Sequence, residues 1–325
     1  MARKQQIGLT APVGIASACP MNTSRNIQPS VPVLEGIAAL ADRYDVILSD
    51  IWGVVHNGRE HFPQACAALR KFRDMGKTVI LVTNAPRPHQ PVLKQLAGLG
   101  VPEGTFDAVV TSGDVTLAFI AAHGLAPLYH IGPVRDHALF EILHEQTGLK
   151  PPLVGLADAS YVVCTGLFDD NETPDDYAQA LDAMRARDLE FISANPDIVV
   201  HVGEREIYCS GALAQRYAQQ GGRVSQAGKP YAPIYDRAME LAAKHLGKTP
   251  DIARVLAIGD GMHTDIGGAI TRGLDAVFVT TGIHRVELHP ADAAGRAGEL
   301  DIAALKKLVA AHGYSPIAAI TRLNW

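Results

Sequence analysis

Five short apolar runs constrain this chain more than any other feature. They fall at 46–48, 79–82, 109–110, 255–258 and 276–279, and between them lie longer stretches with apolar residues at helical spacing. A run apolar at every position suits a strand buried on both faces, as in parallel sheets covered by helices on either side. The stretch 63–75 sets Ala65, Leu69 and Phe72 on one helical face, and 231–246 does the same with Ile234, Ala238, Leu241 and Leu246. The alternation predicts an α/β fold, a doubly wound parallel sheet built from βαβ units.

The spacing of elements changes between Thr116 and about Arg223, where helices are predicted at 174–187 and 211–221 and strands at 161–164 and 198–202. This middle third reads as an inserted α/β domain over 117–223, splitting the core into 38–116 and 224–312. A length of 325 residues exceeds the usual size of one domain and agrees with that division. Residues 1–37, rich in Ser, Pro, Asn and Thr, carry no sustained period and read as an N-terminal extension. Residues 313–325, with an apolar stretch at 317–320 and Trp325, read as a tail that docks on the core or on a partner.

Composition removes several classes of function. The net charge is -5 and no Lys/Arg cluster is interleaved with aromatics, so nucleic acid is not the expected partner. No run approaches the roughly 18 apolar residues a membrane span needs. Cys19, Cys66, Cys164 and Cys209 are scattered with no metal-site spacing, which points to reduced thiols in the cytoplasm.

Chemistry is suggested by the polar residues at the end of each apolar run. Asp50 ends the first, Thr83-Asn84 the second, Thr111-Ser112-Gly113 the third and Gly259-Asp260-Gly261 the fourth. In an open parallel sheet, ligands bind outside the carboxyl ends of the strands, so these loops are expected to converge. Two carboxylates with hydroxyl and amide donors suit a hard cation such as Mg²⁺ together with a phosphate, and Lys229 offers a cation for the phosphoryl oxygens. Taken singly, each piece is commoner as a turn residue, a helix cap or a solvated lysine. Their order at successive strand ends carries the argument.

In that order the residues resemble the haloacid dehalogenase (HAD) superfamily, specifically its class IIA members of the NagD, 4-nitrophenylphosphatase and pyridoxal phosphate phosphatase type. Ser49-Asp50-Ile51-Trp52-Gly53-Val54-Val55 followed by Gly58 is similar to motif I, and Leu81-Val82-Thr83-Asn84-Ala85-Pro86 to motif II. Gly228-Lys229-Pro230 is similar to motif III, and Ile258-Gly259-Asp260 continuing to Asp265 to motif IV. Thr111-Ser112-Gly113 and Asn195-Pro196-Asp197 resemble two further class IIA signatures. The resemblance covers about 38–312 and implies a Rossmann-like core with an inserted C2-type cap.

It also implies roles. Asp50 would be the nucleophile and a Mg²⁺ ligand, Asp260 a second ligand, and the backbone carbonyl of Trp52 a third, with Asp265 ordering the metal's surroundings. Thr83, Asn84 and Lys229 would bind the phosphoryl group, and Asn195 and Asp197 would lie near the substrate-facing loop of the cap. The implied activity is Mg²⁺-dependent hydrolysis of a small phosphorylated metabolite (a sugar, aryl or acyl phosphate) through an aspartyl-phosphate. Class IIA relatives pair through the cap, which implies a homodimer.

One position departs from the family. Phosphatases of this type carry a second aspartate two residues after the nucleophile, as general acid and base, and here that residue is Trp52. An indole donates one N–H and cannot shuttle protons. The substitution leaves three accounts: His56 or His263 supplies the proton; only substrates with good leaving groups react; or the chain is a catalytically weak phosphoester binder. His201 and Tyr208 are further candidates for lining the pocket, and Arg87 for contacting a substrate anion.

Overall fold

The computed structural model describes residues 31–202, 205–291 and 298–325. Most of the stretch read as an N-terminal extension lies outside the described residues. In chain order the strands are β1 (Val33–Leu34), β2 (Val46–Ser49), β3 (Thr78–Thr83), β4 (Ala108–Thr111), β5 (Leu128–Ile131), β6 (Tyr161–Cys164), β7 (Glu190–Ser193), β8 (Val199–Val202), β9 (Arg205–Tyr208), β10 (Val224–Gln226), β11 (Val255–Gly259), β12 (Asp275–Val279) and β13 (Ala318–Ile320). The chain divides into two compact units. An inserted unit comprises Asn84–His89 and Thr111–Gly228; a core unit comprises the described part of Arg25–Thr83, with Gln90–Val110 and Lys229–Trp325.

The core sheet has seven strands in the order β1-β13-β12-β11-β2-β3-β4. Pairing is parallel from β1 through β13, β12, β11 and β2 to β3. All four residues of β2 are buried, which is why the run is apolar without alternation. The helix Pro63–Asp74 opens on Pro63, whose missing N–H costs nothing in a first turn, and closes with Lys71 and Arg73 at its negative end. It buries Ala65, Cys66, Ala68, Leu69 and Phe72 and packs on β3. The helix Ala232–Leu246 also packs on β3, burying Ile234, Tyr235, Ala238 and Ala242.

The two ends of the described chain are part of this sheet. Val33–Leu34 pairs with Ala319–Ile320, and Ala318–Ile320, placed by sequence in a tail, is an inner strand with all three residues buried. Strands of two or three residues carry no period, so nothing in the local pattern marks them.

The inserted unit has its own four-stranded parallel sheet, β10-β7-β6-β5, and an antiparallel hairpin of β8 and β9. Successive residues of its strands serve opposite faces. Val162, Cys164 and Phe191 pack with Leu181, Met184 and Tyr217, whereas Tyr161, Val163 and Ile192 pack with Ile120, Leu139 and Leu143. The Tyr217 hydroxyl donates to the Leu189 carbonyl at 2.7 Å, so the buried phenol is satisfied. The whole is an α/β structure with a Rossmann-like core. No helix among the described residues is long and apolar enough to cross a membrane.

Candidate active site

β11, β2 and β3 lie side by side in register, with Ser49 opposite both Ile258 and Leu81. The residues beyond these positions therefore emerge on one carboxyl edge. Asp50 is fixed by its own N–H, which donates to the Ile258 carbonyl at 2.8 Å. The Lys229 ammonium donates to Asp50 Oδ1 at 2.5 Å, to Asp265 Oδ1 at 2.7 Å and to the Val82 carbonyl at 3.1 Å. Its three protons are all engaged. Asp50, Asp260 and Asp265 are buried and each presents an oxygen within 4.8 Å of the others.

Asp260 is held by backbone. Its Oδ2 accepts the Ile283 N–H at 2.8 Å, and its carboxylate fills the space that a Cβ on Gly53 or Gly282 would occupy. Gly53 also has φ +80°, a conformation other residues rarely adopt. Asp265 sits in a π-helical turn, Met262–Gly267, where it accepts the Gly261 N–H at 3.0 Å and lies against Gly259. Such single turns recur at functional sites because they re-aim one side chain. The Tyr235 hydroxyl donates to the Thr264 carbonyl at 3.1 Å and tightens the same turn.

The electrostatics of the cluster are unbalanced. Burial pushes Asp50 up to about 7, against the pull of Lys229, and the charge of Asp265 pushes the same way. Burial, then the charges of Asp50 and Asp265, raise Asp260 well above the usual carboxylate range. Burial works against the Lys229 ammonium, but Asp265 and Asp50 outweigh it and hold it protonated. Ionised together, three buried carboxylates facing one ammonium would leave two negative charges uncompensated. A dication with oxygen preference fits that deficit and that donor set.

Trp52, two residues after Asp50, is 46% exposed. Its indole lies on Gly58, where a Cβ would overlap the ring, and meets the His56 imidazole edge-on at 5.3 Å. His56 is buried; its Nδ1 accepts the Gly58 N–H at 3.0 Å, and burial lowers its pKa, so it is a neutral ring holding the loop. His263 is exposed at the start of the π turn. Thr83 is half-buried at the end of β3.

The other predicted residues come together within the inserted unit. Asn84 Nδ2 donates to Asp197 Oδ1 at 2.8 Å, and the Asp197 N–H donates to Asn195 Oδ1 at 3.1 Å. Asn195 is clamped by Ser210, whose hydroxyl accepts its N–H at 2.9 Å and donates to its carbonyl at 2.8 Å. Gly113, Gly211 and Gly228 each have backbone or side chain where a Cβ would go: Arg87 and Pro86, Pro196 and Asp197, and Ser112 and Asn84 respectively. Asn84, expected on the phosphoryl group, thus has its amide nitrogen on Asp197. A cavity of about 470 Å³ in this unit is lined by Arg87, Arg135, Asp136, Thr165, Asn195 and Tyr208 among others. It lies at the carboxyl ends of β5, β6 and β7, and Arg135, Asp136 and Thr165 were not singled out from the sequence. His201 pairs through its backbone with Glu206 in the hairpin.

Gly282 and Tyr235 were also missed, and Gly53 was read only as part of motif I, without its place against Asp260. The signal for Gly282 was available, because Thr280-Thr281-Gly282 comes directly after the fifth apolar run as the other motifs come after theirs.

Fold and site together define an α/β protein with a carboxylate and lysine centre at the strand ends of its Rossmann-like core sheet. The haloacid dehalogenase-like hydrolase family matches residues 47–145, and the HAD-hydrolase-like family matches 226–301. A haloacid dehalogenase-like hydrolase from Brucella suis 1330, known as a crystal structure, is 45% identical with a TM-score of 0.75, over 89% of this chain and 99% of that one. The 5'-nucleotidase YutF of Bacillus subtilis (strain 168) is 30% identical over 247 residues, 75% of this chain and 90% of the relative. Ribonucleotide monophosphatase NagD of Escherichia coli (strain K12) is 25% identical over 257 residues, 74% of this chain and 89% of the relative. The chain belongs to the haloacid dehalogenase-like hydrolases, in their class IIA phosphatase branch.

Proposed function

We propose that the chain is a Mg²⁺-dependent phosphatase that hydrolyses a small phosphorylated metabolite through an aspartyl-phosphate on Asp50. The observation that carries this is the Lys229 ammonium held between Asp50 and Asp265, with Asp260 beside them and two negative charges left over when all three carboxylates are ionised. Asp50, Asp260 and the Trp52 carbonyl would hold the ion, with Asp265 behind them. Bound there, it supplies the positive charge that lets a carboxylate approach an anionic phosphate.

The chemistry then falls to the chain's own groups. An Asp50 carboxylate oxygen bonds to phosphorus as the bond to the leaving oxygen breaks, its electron pair staying with that oxygen. Water next bonds to phosphorus, the bond to Asp50 breaks, the water's proton is lost to solvent and inorganic phosphate departs. Lys229 orients Asp50 and sets its charge against the transferring oxygens, exchanging one of its three acceptors for a phosphoryl oxygen. Thr83, at the end of β3, donates to the same group. The inserted unit serves as the cap that selects substrate, with Asn195 and Asp197 shaping its substrate-facing loop, and it pairs two copies in a homodimer. Cys66, Cys164 and Cys209 are buried and unpaired, which supports a cytoplasmic setting.

Two relatives carry nucleotide names, so nucleoside monophosphates join sugar, aryl and acyl phosphates as substrates to try. Phosphate release is the assay, with MgCl₂ or with EDTA, using Asp50→Asn as control. Release that depends on Mg²⁺ and is lost in Asp50→Asn supports the proposal; release that persists in Asp50→Asn removes Asp50 as nucleophile. Trp52 favours one rival, a phosphoester binder without useful turnover, and no release from any substrate class would select it.

A further inference from the structure

The core unit surrounds its charged floor with apolar groups that phosphoryl transfer to Asp50 does not use. Ile51 donates its N–H to Asp50, and Gly53 lies against Asp260, so Trp52 is tied on both sides to the carboxylates. Asp50, Asp260 and Asp265 are 8%, 7% and 5% exposed, whereas the Trp52 side of the same turn is open to solvent. Ile283 repeats the arrangement. It donates its N–H to Asp260, comes directly after Gly282, and is exposed. The Gly282 Cα stands 3.4 Å from where a Gly53 Cβ would be, so the turns bearing Trp52 and Ile283 touch.

The indole is not loose. The tip of its six-membered ring lies against Gly58, it meets the His56 ring in a T-shaped contact at 5.3 Å, and nearly half of the residue is open to solvent. An exposed indole two residues from Asp50 offers the flat apolar surface that stacking on a conjugated group requires. The same side chain has no proton to give to a leaving oxygen. The two properties select one class of ester: the leaving group must be planar, and its oxygen must depart as a stable anion.

We infer that Trp52 is a specificity-determining residue, a stacking platform that directs the enzyme to phosphate esters of planar conjugated leaving groups, aryl or enol phosphates. In the transfer to Asp50 the electron pair of the breaking phosphorus–oxygen bond stays on the leaving oxygen and delocalises into the ring or enolate, which later takes a proton from water. Alkyl phosphates, including sugar and nucleoside 5'-phosphates, leave a localised alkoxide and fail on the second count. Acetyl phosphate has a stable leaving anion but no ring, and separates the two effects. The inference rests on the phosphatase proposal.

The test compares 4-nitrophenyl phosphate, acetyl phosphate and glucose 6-phosphate with MgCl₂, in the wild type, Trp52→Phe and Trp52→Leu. Stacking of this kind corresponds to about a ten- to a hundredfold effect. Trp52→Leu should lower kcat/KM for the aryl ester by that factor more than it lowers kcat/KM for acetyl phosphate, while Trp52→Phe keeps most of the preference for the aryl ester. Equal losses on the aryl and acyl substrates would overturn the inference, since Trp52 would then be acting only on the loop. A second measurement does not need turnover. The chain has two tryptophans, Trp52 and Trp325, so Trp325→Phe leaves Trp52 as the only indole. With MgCl₂, phenylphosphonate should shift its emission to the blue by covering the exposed indole, and methylphosphonate should not. An equal response to both, or none to either, refutes stacking. A wild type that turns over no ester overturns the phosphatase proposal, and the emission shift then still decides this one.

Discussion

Binding of Mg²⁺ is expected to expel protons from the carboxylate cluster, and the structure sets how many. Full ionisation of Asp50, Asp260 and Asp265 against Lys229 leaves two uncompensated negative charges in a buried site. The metal-free chain relieves this by holding protons, with Asp50 raised to about 7 and Asp260 also raised. A dication removes the reason for protonation, so at about pH 6 binding should release about one proton from Asp50, with Asp260 adding to the count, and the Asp50 share should fade as pH rises above about 7. The assay is calorimetric titration of MgCl₂ in buffers of different ionisation enthalpy, where the slope of observed heat against buffer enthalpy counts the protons. The same groups fix a sign for stability. An acid whose folded pKa is raised binds more protons folded than unfolded, so metal-free stability should fall as pH rises from about 4 to about 7. The slope is at most about 1.4 kcal/mol per pH unit for each such group. Saturating Mg²⁺ should flatten that slope. A binding heat independent of buffer at about pH 6 would refute the charge accounting.

Lys229→Met strips the bound ammonium from three buried carboxylates, and should cost about 3–5 kcal/mol of metal-free stability, with a larger thermal shift on adding Mg²⁺ than the wild type shows. Comparing unfolding with and without MgCl₂ checks this. Gly282→Ala forces a methyl into the Asp260 carboxylate and should weaken Mg²⁺ binding at least about tenfold, with overpacking costing about 1–3 kcal/mol; wild-type affinity by calorimetry would contradict the cradle. Asp197→Ala removes the acceptor for Asn84 Nδ2 and should lower stability by about 1–3 kcal/mol, read by urea unfolding.

The strands that carry the site were legible because each is buried on both faces and therefore apolar throughout. Val46–Ser49, Thr78–Thr83 and Val255–Gly259 emerged within a residue or two of their predicted limits. Their ends pointed to Asp50, Thr83 and Asp260 without any knowledge of long-range contacts. Ala318–Ile320 and Val33–Leu34 were not legible, since strands this short are defined by pairing across hundreds of residues. Glu190–Ser193 was hidden by its polar ends. The cradle around Asp260 depends on Gly53 and Gly282, and the Asn84 to Asp197 hydrogen bond joins residues 113 apart; neither leaves a local pattern. His56 looked like a candidate acid by residue type, and only its burial and the Gly58 N–H on its Nδ1 reveal a neutral ring that braces the loop.

The most direct measurement is to find where the phosphoryl group goes. Rapid acid quench of the enzyme turning over a ³²P-labelled aryl phosphate with MgCl₂, then peptide mapping, should place transient label on the peptide carrying Asp50 and none in Asp50→Asn. Label on another residue, or steady turnover in Asp50→Asn, would contradict phosphoryl transfer to Asp50.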